Sequence, residues 1–206
     1  MDYGNVLKGT TTVGLIFSDG VVLAADKRAT MGNFIAIKDI DKILMVSDKM
    51  AFTTAGGVGD AQQLVRVMRA ELELYLHQTG EPLSVKGAST LLANILQGNK
   101  YFPYLVQIIV GGVDKQPKLF SLDPVGGLND ETKYVSTGSG SVTAYGVLDA
   151  GYKPGLTKSE AVKLAASAVS GAMKRDSASG EAVDVVIITS GGVERIPPLE
   201  VAKLIA

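Results

Sequence analysis

The chain has 206 residues, 46% of them hydrophobic and 20% charged, a length and composition that suit one generous domain with a substantial core. Its 20 Lys and Arg balance 21 Asp and Glu, with no basic stripe, so nucleic-acid binding is not indicated. With no cysteine and one histidine, His77, it excludes disulfides, thiolate or histidine-rich metal sites and a cysteine nucleophile.

A hydrolase built from these residues has a short list of parts. Its nucleophile must be Ser, Thr or a carboxylate, and its base must be His77, a lysine, a carboxylate or an α-amine. No apolar run reaches the roughly 18 residues of a membrane span. The leader Met1 to Gly9 lacks the apolar stretch of a secretory signal. A soluble, cytoplasmic protein is expected, with no cofactor or metal.

Taken in order, residues 10–17 read as a strand and Gly20 to Ala25 as its hairpin partner, with Ser18-Asp19-Gly20 as the turn. Asp26-Lys27-Arg28 then reads as a solvated strand exit. Phe34 to Ile37, Lys42 to Ser47 and Met50 to Ala55 are further short strands. Lys42 heads an apolar run, where its amine either snorkels to water or is partly desolvated.

Ala55-Gly56-Gly57-Val58-Gly59-Asp60 leads from a strand into a helix and has two readings. Such a turn can cradle phosphate, but this one lacks the third glycine of the dinucleotide fingerprint and the Gly-Lys-Ser/Thr end of a phosphate loop. It can equally leave backbone N–H groups facing a cleft, as an oxyanion site requires. Asp60 to His77 carries Ala61, Leu64, Val65, Met68, Leu72 and Tyr75 at helical spacing, and His77 at its end reads as structural. Gly80 and Pro82 break the chain, and Ser84 starts a second helix with Ala88, Leu91, Leu92 and Ile95 on one face. The two form a helix hairpin.

Tyr104 to Val113 and Lys118 to Leu122 are strands. Val135 to Ser141 has no serine-hydrolase elbow, since Thr137 stands where the first glycine of that motif belongs. Thr157-Lys158-Ser159-Glu160 is a capping box for a helix with Ala161, Leu164, Ala165, Ala168 and Ala172 on its small face. Asp184 to Thr189 and Val193 to Ile196 are strands about a Gly191-Gly192 turn, and a short helix runs from Pro198. The order is strands, two helices, strands, one helix, strands, which favours a single α+β domain over a doubly wound sheet.

Lys8-Gly9-Thr10-Thr11-Thr12-Val13-Gly14 stands apart. Three β-branched residues suit an ordinary first strand. Cleavage between Gly9 and Thr10 would instead give one residue both a hydroxyl nucleophile and a free α-amine. That amine, with a reference pKa of about 7.7–8.0 against about 10.4 for lysine, suits a base at neutral pH.

Gly9-Thr10-Thr11-Thr12-Val13-Gly14, Ala25-Asp26-Lys27-Arg28, Lys42, Ala55-Gly56 with Gly59-Asp60-Ala61-Gln62, Tyr101-Phe102-Pro103-Tyr104, Thr137-Gly138-Ser139-Gly140-Ser141 and Arg175-Asp176-Ser177-Ala178-Ser179-Gly180 recur here in order. Together they resemble the proteasome β-subunit family, most closely its archaeal members, from Gly9 to the end. The resemblance implies an N-terminal-nucleophile hydrolase: a four-layer αββα sandwich of two antiparallel sheets flanked by helices. Residues 1–9 would be a propeptide removed autocatalytically, and residues 10–206 a single peptidase domain degrading unfolded proteins.

It further implies Thr10 as nucleophile, Lys42 as the cation beside it and Asp26 as the partner of Lys42. Ser139, Asp176 and Ser179 would surround the α-amine, Gly56 N–H would hold the oxyanion, and Thr30 would bind substrate through its backbone. Ala29, Ile40, Leu44, Thr54 and Val58 would line a roomy apolar pocket for a large hydrophobic residue before the cleaved bond. The implied partners are α subunits and other β subunits in seven-membered rings, with ATP-dependent unfoldase rings outside. The alternative within the family is a structural β subunit, or one processed only beside a sister β chain.

Overall fold

The computed structural model describes residues 9–205; of the proposed leader, only Gly9 falls among them, and residues 1–8 lie outside. The described strands are β1 (Thr12–Phe17), β2 (Gly20–Asp26), β3 (Ala29–Met31), β4 (Phe34–Ile37), β5 (Ile43–Ser47), β6 (Met50–Gly56), β7 (Val106–Val113), β8 (Pro117–Leu122), β9 (Leu128–Glu131), β10 (Tyr134–Thr137), β11 (Val183–Thr189) and β12 (Gly192–Ile196). The helices are α1 (Val58–Thr79), α2 (Val85–Gly98), α3 (Ser141–Gly151), α4 (Lys158–Met173) and α5 (Pro198–Ile205).

Two five-stranded sheets form, in the orders β10-β1-β2-β11-β12 and β5-β6-β7-β8-β9, with β3 and β4 as a separate hairpin. Every pairing is antiparallel. The side-chain period of two then sorts the core into three layers. Along β2, Val21, Leu23 and Ala25 pack between the sheets with Ile43, Ile109 and Leu119. Val22 and Ala24 point the other way, onto α3 and α4. Phe52, Ile108 and Val110 of the second sheet meet α1 and α2. Because both faces of β2 are covered, its sequence reads as a continuous apolar run rather than an alternation.

The sheets approach closely at Gly14, where a Cβ would stand 2.7 Å from a Leu119 methyl and 2.9 Å from Ile109. The expected four-layer αββα arrangement is the one observed.

The helix hairpin has the anticipated terminators. Gly80 adopts φ 76° and caps α1, and the Ser84 side chain accepts from Gly87 N at 3.1 Å to open α2. Ala61, Leu64, Val65, Met68 and Leu72 are the buried positions of α1, whereas Tyr75 is exposed. The Thr157–Glu160 capping box opens α4. No helix among the described residues is long and apolar enough to cross a membrane.

Four elements depart from the sequence expectation, one of them β10, a short strand where the sequence shows only the lack of a serine-hydrolase elbow. Strands β3 and β9 are short and half-exposed, with no apolar alternation to announce them. Helix α3 replaces what read as connecting chain, so two helices, not one, separate β10 from β11. Ser141-Val142-Thr143 and Gly146 are poor helix formers, and the Gly140 cap offers no side-chain bond. Tertiary contacts decide the matter: Ala144 and Leu148 bury against α4, and Tyr134 Oη donates to Asp149 at 2.5 Å.

Candidate active site

Thr10 stands just before β1, which runs between β10 and β2, so its neighbours grip it from both sides. Asp26 N donates to the Thr11 carbonyl at 3.2 Å, and Gly140 N to the Thr10 carbonyl at 3.4 Å. A Cβ on Gly138 would fall 2.1 Å from the Thr10 oxygen, so only glycine lets the β10 turn close on it. The hydroxyl of Thr10 is thereby fixed by sheet geometry rather than by a loop.

Lys42 comes from the other sheet, as the residue immediately before β5. Its Nζ donates to Asp26 Oδ1 at 2.7 Å and to the Gly9 carbonyl oxygen at 3.3 Å. The Thr10 hydroxyl donates to that same Gly9 oxygen at 2.6 Å. Hydroxyl, ammonium and the carbonyl of the preceding residue thus converge at one point. Gly9 reaches it with φ +124°, and a Cβ there would lie 2.4 Å from Thr30 Oγ1.

A buried ion pair survives only if its remaining valences are filled. Asp26 is wholly buried and accepts from Thr11 N (2.9 Å), Arg28 N (3.1 Å) and Gly180 N (2.9 Å) as well as from Lys42. Burial pulls the Lys42 ammonium below the ordinary lysine range; Asp26 and Asp176 pull it back up, and Arg28 adds to the lowering. Of the two sequence readings of Lys42, partial desolvation is the one realised.

On the opposite side of Thr10, Asp176 Oδ2 accepts from the Ser139 and Ser179 hydroxyls, each at 2.6 Å. Thr10 N donates to Ser139 Oγ at 3.4 Å, so this set does border the nitrogen that cleavage would free. Thr11, to which the sequence assigns no role of its own, joins it through a 2.7 Å contact between its hydroxyl and Ser179 Oγ. Arg28 clamps the same loop, donating to Ser177 O at 2.9 Å and pairing with Glu181 at 3.1 Å. The Asp26-Lys27-Arg28 run is therefore no solvated exit, because Lys27 also pairs with Asp39 (2.6 Å) and Asp41 (3.1 Å).

Beside Thr10 opens a pocket of about 90 Å³ lined by the five residues expected there, Ala29, Ile40, Leu44, Thr54 and Val58, together with Thr30 and Gly56, for which the resemblance implies backbone binding and the oxyanion donor. Asp41, Ala61 and Gln62 line it too and were not anticipated. Asp41 is no free counter-charge, since Lys27 and Arg195 both hold its carboxylate, each at 3.1 Å. Gly56 ends β6. Thr54 N donates to the Lys42 carbonyl, and strand alternation turns Gly56 N–H to the same side, where β5 has not yet begun. A larger groove of about 620 Å³ between α1 and α2 lies away from all of these residues.

The phosphate-cradle reading of Gly56 to Gly59 meets an obstacle in Asp60. Its carboxylate sits in the first turn of α1 and accepts from Leu105 N at 2.8 Å, so the helix N-terminus already faces an anion. His77 is exposed and lies 3.5 Å from Glu73, one turn back on the same helix. Among the described residues no cluster of three or more His, Asp or Glu is placed to hold a metal ion.

Comparison with known proteins accords with this geometry. A family model described as Proteasome subunit matches residues 6–188. The chain is similar to the proteasome subunit beta of Methanohalophilus mahii, 56% identical over 206 residues, covering 100% of this chain and 98% of that one. It is also similar to those of Methanothrix thermoacetophila (54% over 199 residues, 96% of each chain) and Methanococcoides burtonii (52% over 204 residues, 98% and 97%).

Proposed function

The chain belongs to the proteasome subunit family, and from that premise we propose that it is a catalytic β subunit of the proteolytic core, an endopeptidase with Thr10 as its nucleophile. The observation that carries the reading is the convergence of the Thr10 hydroxyl (2.6 Å) and the Lys42 ammonium (3.3 Å) on the Gly9 carbonyl oxygen.

Residues 1–9 are a leader that the chain removes from itself. Lys42 polarises the Gly9 carbonyl, and Thr10 Oγ1 attacks its carbon. As the Gly9–Thr10 C–N bond breaks, the hydroxyl proton passes to the leaving nitrogen. The product is an ester between Gly9 and the Thr10 hydroxyl, with the α-amine now free. Water hydrolyses the ester, and residues 1–9 leave with a terminal carboxylate. Before this step the Thr10 nitrogen is an amide and cannot serve as a base; afterwards it can.

Residues 10–206 then act on other chains. The α-amine, oriented by Ser139 and Asp176 with Ser179 behind them, takes the hydroxyl proton and returns it to the departing amine. Lys42, held by Asp26, favours the alkoxide-like oxygen. Gly56 N–H holds the oxyanion, a donor worth about 3 kcal/mol in comparable sites. Substrate pairs through its backbone along Thr30. The mainly apolar walls from Ala29, Ile40, Leu44, Thr54 and Val58 favour cleavage after large hydrophobic residues. The subunit assembles with α subunits and other β subunits in seven-membered rings, fed unfolded polypeptide by ATP-dependent unfoldase rings.

The deciding experiment compares wild type with Thr10→Ala in the assembled particle. Wild type should hydrolyse a fluorogenic peptide, lose residues 1–9 by intact mass, and take up a covalent electrophile on Thr10. The variant should do none of these. A processed, active Thr10→Ala particle would refute the assignment.

A further inference from the structure

Arg195 lies on β12, an edge of the first sheet, and among the described residues it makes no hydrogen bond to Thr10, Asp26 or Lys42. Its guanidinium nevertheless ends on both residues that flank Lys42. Nη1 stands 3.1 Å from Asp41 Oδ1, and Nη2 donates to the Ile43 carbonyl at 2.8 Å.

That carbonyl is available because β5 is the edge strand of the second sheet. The Lys42 carbonyl turns inward and accepts from Thr54 N at 2.9 Å. Alternation turns the next one, on wholly buried Ile43, off the edge, where the second sheet has no further strand among the described residues. A buried acceptor left there unpaired would be costly, and the Arg195 fork fills it from the neighbouring sheet.

Arg195 is itself held from behind. Asp184 on β11 is nearly fully buried and shares its face with Val186 and Ile188, in the apolar layer between the sheets. Its Oδ2 lies 3.1 Å from Arg195 Nη1 and forms no hydrogen bond among the described residues, so the contact is one of charge. Burial pushes the Asp184 carboxyl up, against the pull of Arg195 and Lys27. A carboxylate is costly in such a layer unless a cation answers it, and here the cation is the one that grips the Lys42 segment.

We propose that Arg195, anchored by Asp184, is a positioning residue that fixes the backbone of Lys42 through Asp41 and Ile43, and so sets where the Lys42 ammonium meets the reacting carbonyl. The proposal rests on the reading of Thr10 and Lys42 as the reacting pair. The Lys42 side chain has little slack, since its far end is pinned to fully buried Asp26 at 2.7 Å. A displaced Lys42 backbone can therefore be accommodated only by loosening the Asp26 contact, which moves the ammonium.

The test uses core particles assembled with their partner subunits and carrying wild type, Arg195→Met or Arg195→Lys. It reads kcat and KM on a fluorogenic peptide, the rate of electrophile labelling at Thr10, and the thermal midpoint. Arg195→Met should lower kcat about 10- to 100-fold, the scale of an ångström-level misplacement, and slow labelling in parallel. KM should stay within about threefold, because the interaction lost acts on chemistry rather than on binding. Arg195→Lys, which can reach one of the two partners, should recover part of the loss. An Arg195→Met particle with kcat within about twofold of wild type overturns the proposal, as does a fall in kcat that Lys does not relieve and that follows the thermal midpoint. Should Arg195→Met fail to assemble, Arg195→Lys and Asp41→Asn decide, and unchanged kcat in both overturns it. Wild type without Thr10 labelling sinks the nucleophile reading and this one together; labelled wild type beside an unaltered Arg195→Met sinks this one alone.

Discussion

Asp26 and Lys42 meet at 2.7 Å across the gap between two sheets, one at the end of β2 and the other just before β5. Neither sheet contains the pair by itself. The cation beside Thr10 therefore depends on how the sheets stack, and the apolar layer of Leu23, Ala25, Ile43 and Ile109 sets that stacking. Packing and the proposed chemistry share one determinant here.

Asp26→Asn should damage both. Each carboxylate oxygen accepts two donors, Thr11 N and Lys42 Nζ on one, Arg28 N and Gly180 N on the other. An amide keeps one oxygen and turns its NH2 toward two donors. The buried Lys42 charge loses its counter-ion, a change worth about 3–5 kcal/mol in comparable buried pairs. We expect a lower thermal midpoint of the assembled particle and loss of Thr10 labelling. A variant that retained both would detach Lys42 from Asp26.

The pH dependence follows from the direction of the Lys42 shift. Burial lowers its pKa, against Asp26 and Asp176. The unfolded chain therefore holds this proton to higher pH than the folded one does. This group's contribution to stability rises as pH climbs through the folded pKa and levels off above the unfolded value. Activity goes the other way, because the cation is lost over that range. Peptidase rate should fall on an alkaline limb lying below the ordinary lysine range. On the acid side it should fall as the Thr10 α-amine, with a reference pKa of about 7.7–8.0, is protonated. Labelling of Thr10 across pH measures both limbs, and a flat profile up to the ordinary lysine range would contradict the role given to Lys42.

Gly9→Ala should hinder the proposed removal of residues 1–9 without unfolding the domain. The backbone at Gly9 has φ +124°, and an added Cβ would sit 2.4 Å from Thr30 Oγ1. If the proposed cleavage needs that backbone, an alanine chain that relaxes away from it must recover about 1–3 kcal/mol to react, a slowing of roughly 5- to 150-fold. Intact mass against time after assembly gives the rate. Adding Thr30→Ala should relieve the contact but not the dihedral, so the double variant should recover only partly.

Much of this was legible in the sequence, and the pattern of omissions is physical. Strands β1, β2, β6, β7 and β11 announce themselves as apolar runs because both of their faces are covered. Caps at Gly80, Ser84 and Thr157 obey local rules that a short window contains. Helix α3 does not, since its stability lies in contacts with α4 and β10 rather than in its own residues. The candidate site divides the same way. Thr10, Asp26, Lys42, Ser139, Asp176 and Ser179 stood out through family resemblance. Thr11, Glu181 and Arg195 did not, because their roles consist of distant partners: Ser179 Oγ, the Arg28 guanidinium and the Ile43 carbonyl. Periodicity cannot reveal a contact made where the edges of two sheets meet.

Ala29→Leu should shift specificity while leaving the fold alone. Ala29 lines the pocket from β3, in a small hairpin outside all three apolar core layers, so the change should cost stability no more than about 0.5 kcal/mol. Three added carbons would narrow a cavity of about 90 Å³. A mismatch of one methylene in an apolar pocket is worth about 1–3 kcal/mol, or 10- to 200-fold in kcat/KM. Cleavage after Phe or Tyr should fall by that order relative to cleavage after Ala, with Thr10 labelling by a small electrophile nearly unchanged. Equal losses on both substrates would mean that Ala29 acts on chemistry rather than on the pocket, and an unaltered ratio would place the specificity wall elsewhere.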